Sequence, residues 1–170
     1  MVFNSSTVTV PAHPIDYSVE YFSQTYGDLL FDLCESMLVS PTNAQIAFRS
    51  ILKKLRSGRR RHNFKTYERS WVLRVACDLL LKFCREYGHH SSPEEQIKLD
   101  SNDNVNIRLK EFESYFHRLM PEDRLLLLLK DKLGISYPEI SVAMSIPEGS
   151  LKIRRQQALR ALEEWLWNTK

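Results

Sequence analysis

Five side chains near the C-terminus are of the types that proteins use to read DNA: Ser150, Lys152, Arg154, Arg155 and Gln156. An arginine can hold guanine through two hydrogen bonds, and a glutamine can hold adenine in the same way. Lysine and serine suit phosphate oxygens, and a further arginine adds charge for backbone contact. On a helix, these residues predict binding in the DNA major groove. The alternative is an ordinary amphipathic helix with a charged outer face.

The residues around this stretch predict the two short helices of a helix-turn-helix. Gly134 is expected to end the helix of the leucine run as its C′ residue. A capping-box sequence at residues 136–139 then opens a helix that reaches Met144, and residues 145–147 break it. A second helix then runs from about Glu148 to Trp167. Three apolar residues of this second helix share its inward face because they are seven and four positions apart: Leu151, Ala158 and Leu162.

A second cluster of cations and aromatic rings lies in a predicted loop at residues 59–67, with Trp71 on the helix that follows. Opened DNA strands need aromatic surfaces on which bases stack and cations that hold the backbone. The residues that could supply both are Arg59, Arg60, Arg61, Asn63, Phe64, Lys65, Tyr67 and Trp71. The alternative is a solvated basic turn.

Apolar residues recur at spacings of three and four from Ile15 onward and again from Leu109, which predicts an all-α protein. We expect two small helical domains joined by a linker, the C-terminal one a helix-turn-helix. The predicted divisions are a tail at 1–14, a helical domain at 15–88, a linker at 89–108 and a second domain at 109–170.

Charge is distributed in bands along the 170 residues, although the net charge is only +3. Residues 1–48 contain five acids and no Lys or Arg, whereas residues 49–90 contain twelve Lys or Arg and three acids. Residues 91–123 are acidic again, and residues 124–170 are basic. Two basic bands predict two contacts with polyanions; solvated helix surfaces are the alternative.

Several classes of function are unexpected from this sequence. The three cysteines are odd in number and form no CxxC, so we expect packed thiols rather than disulfides or zinc. No histidine has a metal-ligand spacing, and neither a phosphate-binding glycine loop nor a nucleophile motif occurs. We therefore expect no catalysis, cofactor or metal. The longest apolar run, Leu125–Leu129, is far short of the roughly 20 residues of a membrane span. A cytoplasmic protein is predicted.

The segment from Arg124 to Leu162 resembles the C-terminal domain of small bacterial sigma factors of the extracytoplasmic-function type. The similarity lies in the leucine run ending at Lys130-Asp131, in Gly134-Ile135-Ser136-Tyr137, and in residues 146–152. The resemblance implies that this domain binds the minus-thirty-five promoter element. Lys152 and Arg154 stand where the family has basic residues, whereas Arg155 stands where it usually has an apolar one.

The N-terminal half resembles the other domain of the same family, and Trp71–Asp78 matches its tryptophan-bearing helix. The resemblance implies that the basic loop at 59–67 captures and melts the minus-ten element. It also implies that residues 43–50 dock on the polymerase clamp. The family is normally acidic there, whereas this chain has Gln45 and Arg49.

The resemblance implies as partners promoter DNA, core RNA polymerase through its β′ clamp and β flap, and an inhibitory anti-sigma protein. Two functions remain open at this point. One is a sigma factor that directs RNA polymerase to promoters. The other is a sigma-like DNA-binding regulator, or interaction protein, that no longer engages core polymerase. The charge of the helix at residues 43–50 could in principle distinguish the two functions, but in this chain it favours neither.

Overall fold

The computed structural model describes residues 18–58, 68–87 and 104–167, with side chains from residue 110 onward in the last range. These ranges contain seven helices and no β-strand, which confirms the all-α prediction. The helices are α1 (Val19–Met37), α2 (Pro41–Gly58), α3 (Glu68–Tyr87), α4 (Asn104–Arg118), α5 (Pro121–Leu127), α6 (Tyr137–Met144) and α7 (Glu148–Trp167). The predicted tail and nearly all of the predicted loop and linker lie outside the described residues.

Helices α1 to α3 pack together around a continuous apolar core. The hydroxyl of Ser18 caps α1 by accepting a 3.1 Å hydrogen bond from the Tyr21 amide. Each helix contributes an apolar stripe at helical spacing, including Phe22, Leu30 and Leu33 from α1, Ala47, Ile51 and Leu55 from α2, and Val72, Ala76 and Leu80 from α3.

The three cysteines, Cys34, Cys77 and Cys84, are free and buried in this core, as the sequence predicts. Burial raises the pKa of the Cys34 and Cys77 thiols to about 12, so both remain protonated at neutral pH. A protonated, enclosed thiol is a poor nucleophile and a poor metal ligand. The cysteines therefore act as small apolar side chains.

Helices α4 to α7 form the second unit, and its centre is the leucine run. Helix α4 begins at Asn104, before the predicted start at Leu109. The leucines of residues 125–129 are all buried, and α5 continues into one π-helical turn over Leu128–Lys132. Gly134 then takes a φ of 65°, a conformation that favours glycine, so the chain reverses there as predicted.

Two turns fix the direction of α6. Its predicted capping box is present: Ser136 Oγ accepts from the Glu139 amide at 3.5 Å, and Glu139 Oε2 accepts from the Ser136 amide at 3.3 Å. The Ser136 hydroxyl also donates a 2.7 Å hydrogen bond to Glu139 Oε2, and this bond, followed by the one from the Ser136 amide, lowers the pKa of Glu139. At its other end, Ser145 adopts a left-handed conformation with a φ of 56°, and this turn directs the chain into α7.

The two units pack against each other through α3 and α6. Lys132 Nζ lies 2.6 Å from Asp32 Oδ1 and 2.8 Å from Ser36 Oγ, both on α1. A second ion pair joins Arg69 Nε of α3 to Glu139 Oε1 at 3.5 Å. These charged groups are partly exposed, so the apolar contact between the units contributes more stability than the pairs themselves.

Arg124, at 7% exposure, is the one buried charged side chain in the part of the chain that the structure describes. Its guanidinium NH1 lies 2.6 Å from His117 Nδ1, and that ring nitrogen must be the acceptor because a guanidinium has only donors. Burial, followed by the charge of Arg124, lowers the pKa of His117 to about 4. His117 is therefore neutral at physiological pH in the folded protein.

This pKa makes stability depend on acidity. The unfolded His117 binds a proton near pH 6.5, whereas the folded one resists protonation until about pH 4. The contribution of the neutral ring is thus complete above pH 6.5 and is lost as the pH falls towards 4. We expect His117→Gln, which retains an acceptor for Arg124 but does not titrate, to flatten this loss. Urea denaturation at several pH values measures it. If the free energy of unfolding fell equally with pH in both proteins, His117 would be ruled out as the source of this loss of stability.

Candidate nucleic-acid interface

The N-terminal half of α7 presents an outer surface that the rest of the domain does not cover. Leu151, Ala158 and Leu162 are buried, which confirms the predicted inward stripe. Three of the five predicted reading residues lie on the exposed side: Ser150, Lys152 and Gln156. Ile153, 59% exposed, lies on that side as well. The sequence analysis did not name Ile153, although its position outside the inward stripe indicates that it is exposed. An exposed apolar side chain on this helix suits contact with a thymine methyl group.

The remaining two predicted residues, Arg154 and Arg155, flank the buried stripe, and each binds an aspartate of its own domain. Arg154 Nε lies 2.8 Å from Asp123 Oδ1 on α5. Arg155 Nε lies 2.9 and 3.0 Å from the two carboxylate oxygens of Asp131, and its terminal nitrogen contacts the same group. This hydrogen bonding raises the pKa of Arg155. The two pairs anchor α7 to α5 and to the π-helical turn.

Tyr137, the first residue of α6, lies between two lysines at the edge of this surface. Lys130 Nζ is 4.9 Å from the centre of its ring and Lys152 Nζ is 5.5 Å away. Lys130 also donates a 3.2 Å hydrogen bond to the carbonyl of Ile135. The ring attracts both cations through its face and so holds two ammonium groups beside the recognition helix. The sequence reasoning did not find this arrangement because it joins three separate segments.

The structure describes both ends of the basic aromatic loop. Seven of its eight predicted contact residues, all except Trp71, lie outside the described residues. Trp71 is half-buried, with its ring centre 6.0 Å from that of Phe22. It packs so closely on Gly58 that a Cβ there would lie 2.7 Å from Trp71 Cζ2. The ring thus lies beside the residue at which α2 ends.

The start of α3, on the other side of the loop, is fixed by Glu68. Its Oε1 accepts hydrogen bonds from the hydroxyls of Tyr21 at 2.8 Å and Tyr26 at 2.9 Å. Burial and these bonds raise the pKa of Tyr26. Two tyrosines of α1 therefore hold the carboxylate at one end of the loop, while the packing of Trp71 on Gly58 holds the other.

Gln45 and Arg49, the predicted clamp residues, are both exposed on α2. Within the described ranges, no three His, Cys, Asp or Glu residues are grouped so that they could hold a metal ion. No helix in those ranges is long and apolar enough to cross a membrane.

The pair between Arg154 and Asp123 allows a test of whether Arg154 reads DNA or only anchors α7. Asp123→Asn weakens the anchor and leaves the arginine in place. We expect Arg154→Ala to cost about 1–3 kcal/mol of discrimination between preferred and unrelated duplexes, whereas Asp123→Asn does not weaken binding. Fluorescence anisotropy on duplexes selected from a random pool measures both. Unchanged discrimination by Arg154→Ala, with equal loss of stability in both variants, would make Arg154 an anchor alone.

Close packing at Gly58 gives a second prediction. Gly58→Ala forces the Trp71 ring aside, so we expect it to destabilise the N-terminal unit by about 1–3 kcal/mol. Gly27→Ala is the matched control on α1, because a Cβ there meets nothing nearer than Ser23 Oγ at 3.7 Å. We expect the control to stabilise by about 0.5–1 kcal/mol. Urea denaturation distinguishes them, and equal effects would show that Gly58 does not position the ring.

Comparisons with known proteins agree with this geometry. The family model described as "Sigma-70, region 4" matches residues 109–162, the segment that contains α5 to α7 up to Leu162. A comparison with curated protein sequences gives no match. Among solved structures, the chain is similar to the sigma factor RpoE from Bartonella quintana, which was solved in complex with the anti-sigma factor NepR.

The similarity to that sigma factor extends over both units. The alignment covers 85% of this chain and 96% of that chain, with 17% sequence identity and a TM-score of 0.64. At this identity the likeness concerns the fold, and the family model adds the sequence pattern of the C-terminal unit. Together they confirm the resemblance that the sequence predicts. Residues 109–162 thus match the sigma-70 region 4 family model, and the chain as a whole has a fold similar to that of the sigma factor RpoE.

Proposed function

We propose that this protein is a sigma factor that acts in the cytoplasm and directs RNA polymerase to specific promoters. The observation that supports this most is the uncovered outer surface of α7 in a domain that matches sigma-70 region 4. Small polar and cationic side chains at the start of a recognition helix are what the major groove accepts. The protein's role is then binding and positioning, and the polymerase performs the chemistry.

In the proposed complex, α7 enters the major groove of the minus-thirty-five element. Lys152 and Ser150 contact phosphates there, and Gln156 and Arg154 reach base edges. Arg155 supports the backbone contact. The loop at 59–67 holds the minus-ten strand by its cations, and Phe64, Tyr67 and Trp71 supply stacking surfaces for opened bases. Gly58 and Glu68, which flank the loop, fix its ends and so limit where those rings can be placed.

Binding both promoter elements at once requires the two units to separate. The elements are about 25 base pairs apart, or about 85 Å of duplex at 3.4 Å per base pair. A compact chain of this length has a diameter of about 40 Å. The closed packing of α3 against α6 must therefore open, and the ion pairs of Lys132 with Asp32 and of Arg69 with Glu139 must break. Both pairs are partly exposed, so their loss costs little.

An inhibitory protein partner follows from the same reasoning. The solved relative is described in complex with an anti-sigma factor. A protein that binds this chain's two units together would keep them from reaching both promoter elements. We propose that this chain, too, is controlled by such a partner.

The second candidate is a sigma-like regulator that binds DNA without engaging core polymerase. One observation favours it: α2, the helix expected to dock on the polymerase clamp, contains no acid and exposes Arg49. If the clamp presents cations to this helix, the two surfaces repel each other.

Co-elution with bacterial core RNA polymerase, followed by transcription in vitro on promoter fragments from the source genome, separates the two candidates. We expect co-elution and discrete transcripts. Lys152→Ala combined with Gln156→Ala should abolish those transcripts and leave co-elution intact, because α7 contacts DNA. Lys82→Ala, an exposed cation of α3, is the control. DNA binding without co-elution would establish the regulator instead. If the α7 variant still bound DNA and still gave the transcripts, the assignment of α7 as the recognition helix would be contradicted.

A further inference from the structure

Helix α2 carries a row of cations that has no counter-charge of its own. Its eighteen residues include Arg49, Lys53, Lys54 and Arg56 and no acid. Among the described residues none of these four forms an ion pair, whereas Lys132, Arg154 and Arg155 each bind an aspartate. Glu20 at the start of α1 is the nearby acid: hydrogen bonds from the backbone and from Ser18 lower its pKa, Arg56 adds a smaller effect, and the two residues do not form a salt bridge.

Three of these cations line one groove. Arg49, Lys53 and Arg56 border it, and Leu52 together with Val19 of α1 forms an apolar floor. Arg49 and Lys53 are one helical turn apart, so their like charges repel each other in the free protein. An anionic group in the groove would relieve this repulsion.

An exposed apolar residue continues the same stripe. Ile46, 48% exposed, lies three and seven positions before Arg49 and Lys53, so all three point to one side of α2. From Ile46 to Arg56 the stripe is about 15 Å long, close to three helical turns. Lys54 points away from it. This side of α2 therefore presents the exposed apolar side chain of Ile46, the apolar floor of the groove and a row of cations.

We infer that this stripe of α2 is the docking site of an acidic amphipathic helix of a protein partner. The cations match carboxylates on that helix, while Ile46 and the floor of Leu52 and Val19 receive its apolar residues. A nucleic-acid backbone suits the site less, because phosphates gain nothing from an apolar floor and the groove offers no neutral hydrogen-bond donor among its lining residues. The inference concerns α2 alone and does not depend on promoter recognition by α7.

The test uses a fluorescent 14-residue peptide built from Glu, Leu and Ala so that a Leu stripe is flanked by Glu when the peptide is helical. A second peptide has Gln in place of Glu, and a random-sequence duplex serves as the nucleic-acid probe. We expect the full-length chain to bind the acidic peptide in a salt-sensitive way, and to bind the Gln peptide about tenfold more weakly or worse.

Two neighbouring charge reversals decide the site. Lys53→Glu changes a groove residue, and Lys54→Glu makes the same change in charge at an exposed neighbour that does not line the groove. Circular dichroism verifies that both variants fold. We expect Lys53→Glu to weaken peptide binding at least about tenfold and Lys54→Glu to leave it nearly unchanged. Ile46→Ala should weaken it as well. Equal losses in both lysine variants, no peptide binding at all, or binding of the duplex alone that Lys53→Glu abolishes would each overturn the inference.

Discussion

Residues 125–129 are five consecutive leucines on one helix, so their side chains point around its whole circumference. All five are buried, which is possible only if α5 is covered on every side. Helices α4 and α7 cover it within the C-terminal unit, and α1 and α3 of the N-terminal unit complete the cover. The closed arrangement of the two units is therefore built into this run. Any state in which the units separate must expose part of the run or bury it against another protein.

The same run accounts for the position of the helix-turn-helix. The chain leaves α5 through the π-helical turn and Gly134, and this path brings Ser136 to the start of α6. Helix α6 then lies on α3, and the turn at Ser145 sends α7 back across α5. The proposed recognition surface is consequently the side of α7 that remains exposed once Leu151, Ala158 and Leu162 are buried in the core.

Local signals in the sequence were sufficient for much of this architecture. The capping box at Ser136, the stop at Gly134 and the inward stripe of α7 depend on residues a few positions apart, and the structure has all three. The start of α4 at Asn104 was not predictable, because Asn and Asp favour turns as much as helix starts. Nor was the π-helical turn, which has no residue signature of its own.

The contacts of the candidate site were less predictable, because they join residues far apart in the chain. Arg154 meets Asp123 across 31 positions and Arg155 meets Asp131 across 24. Sequence reasoning recognised the arginines as suitable for DNA but had no means of pairing them with those acids. The contact between Arg124 and His117, seven positions apart, was equally difficult to predict. A charged residue at the start of a leucine run is expected to be exposed.

Two properties of the helix-turn-helix depend largely on different residues: the angle between α6 and α7, and the side chains on the exposed side of α7. The angle between α6 and α7 is set by backbone conformation at one residue and by apolar side chains that face inward. Of the side chains proposed to meet DNA, Ser150 and Gln156 project from the exposed side of α7 and take no part in the buried stripe. Arg154 and Arg155 differ, because their aspartate pairs also anchor α7. Mutation of Ser150 or Gln156 can therefore change the preference for one base sequence over another, while the fold, and its fit to a groove of fixed width, is inherited unchanged.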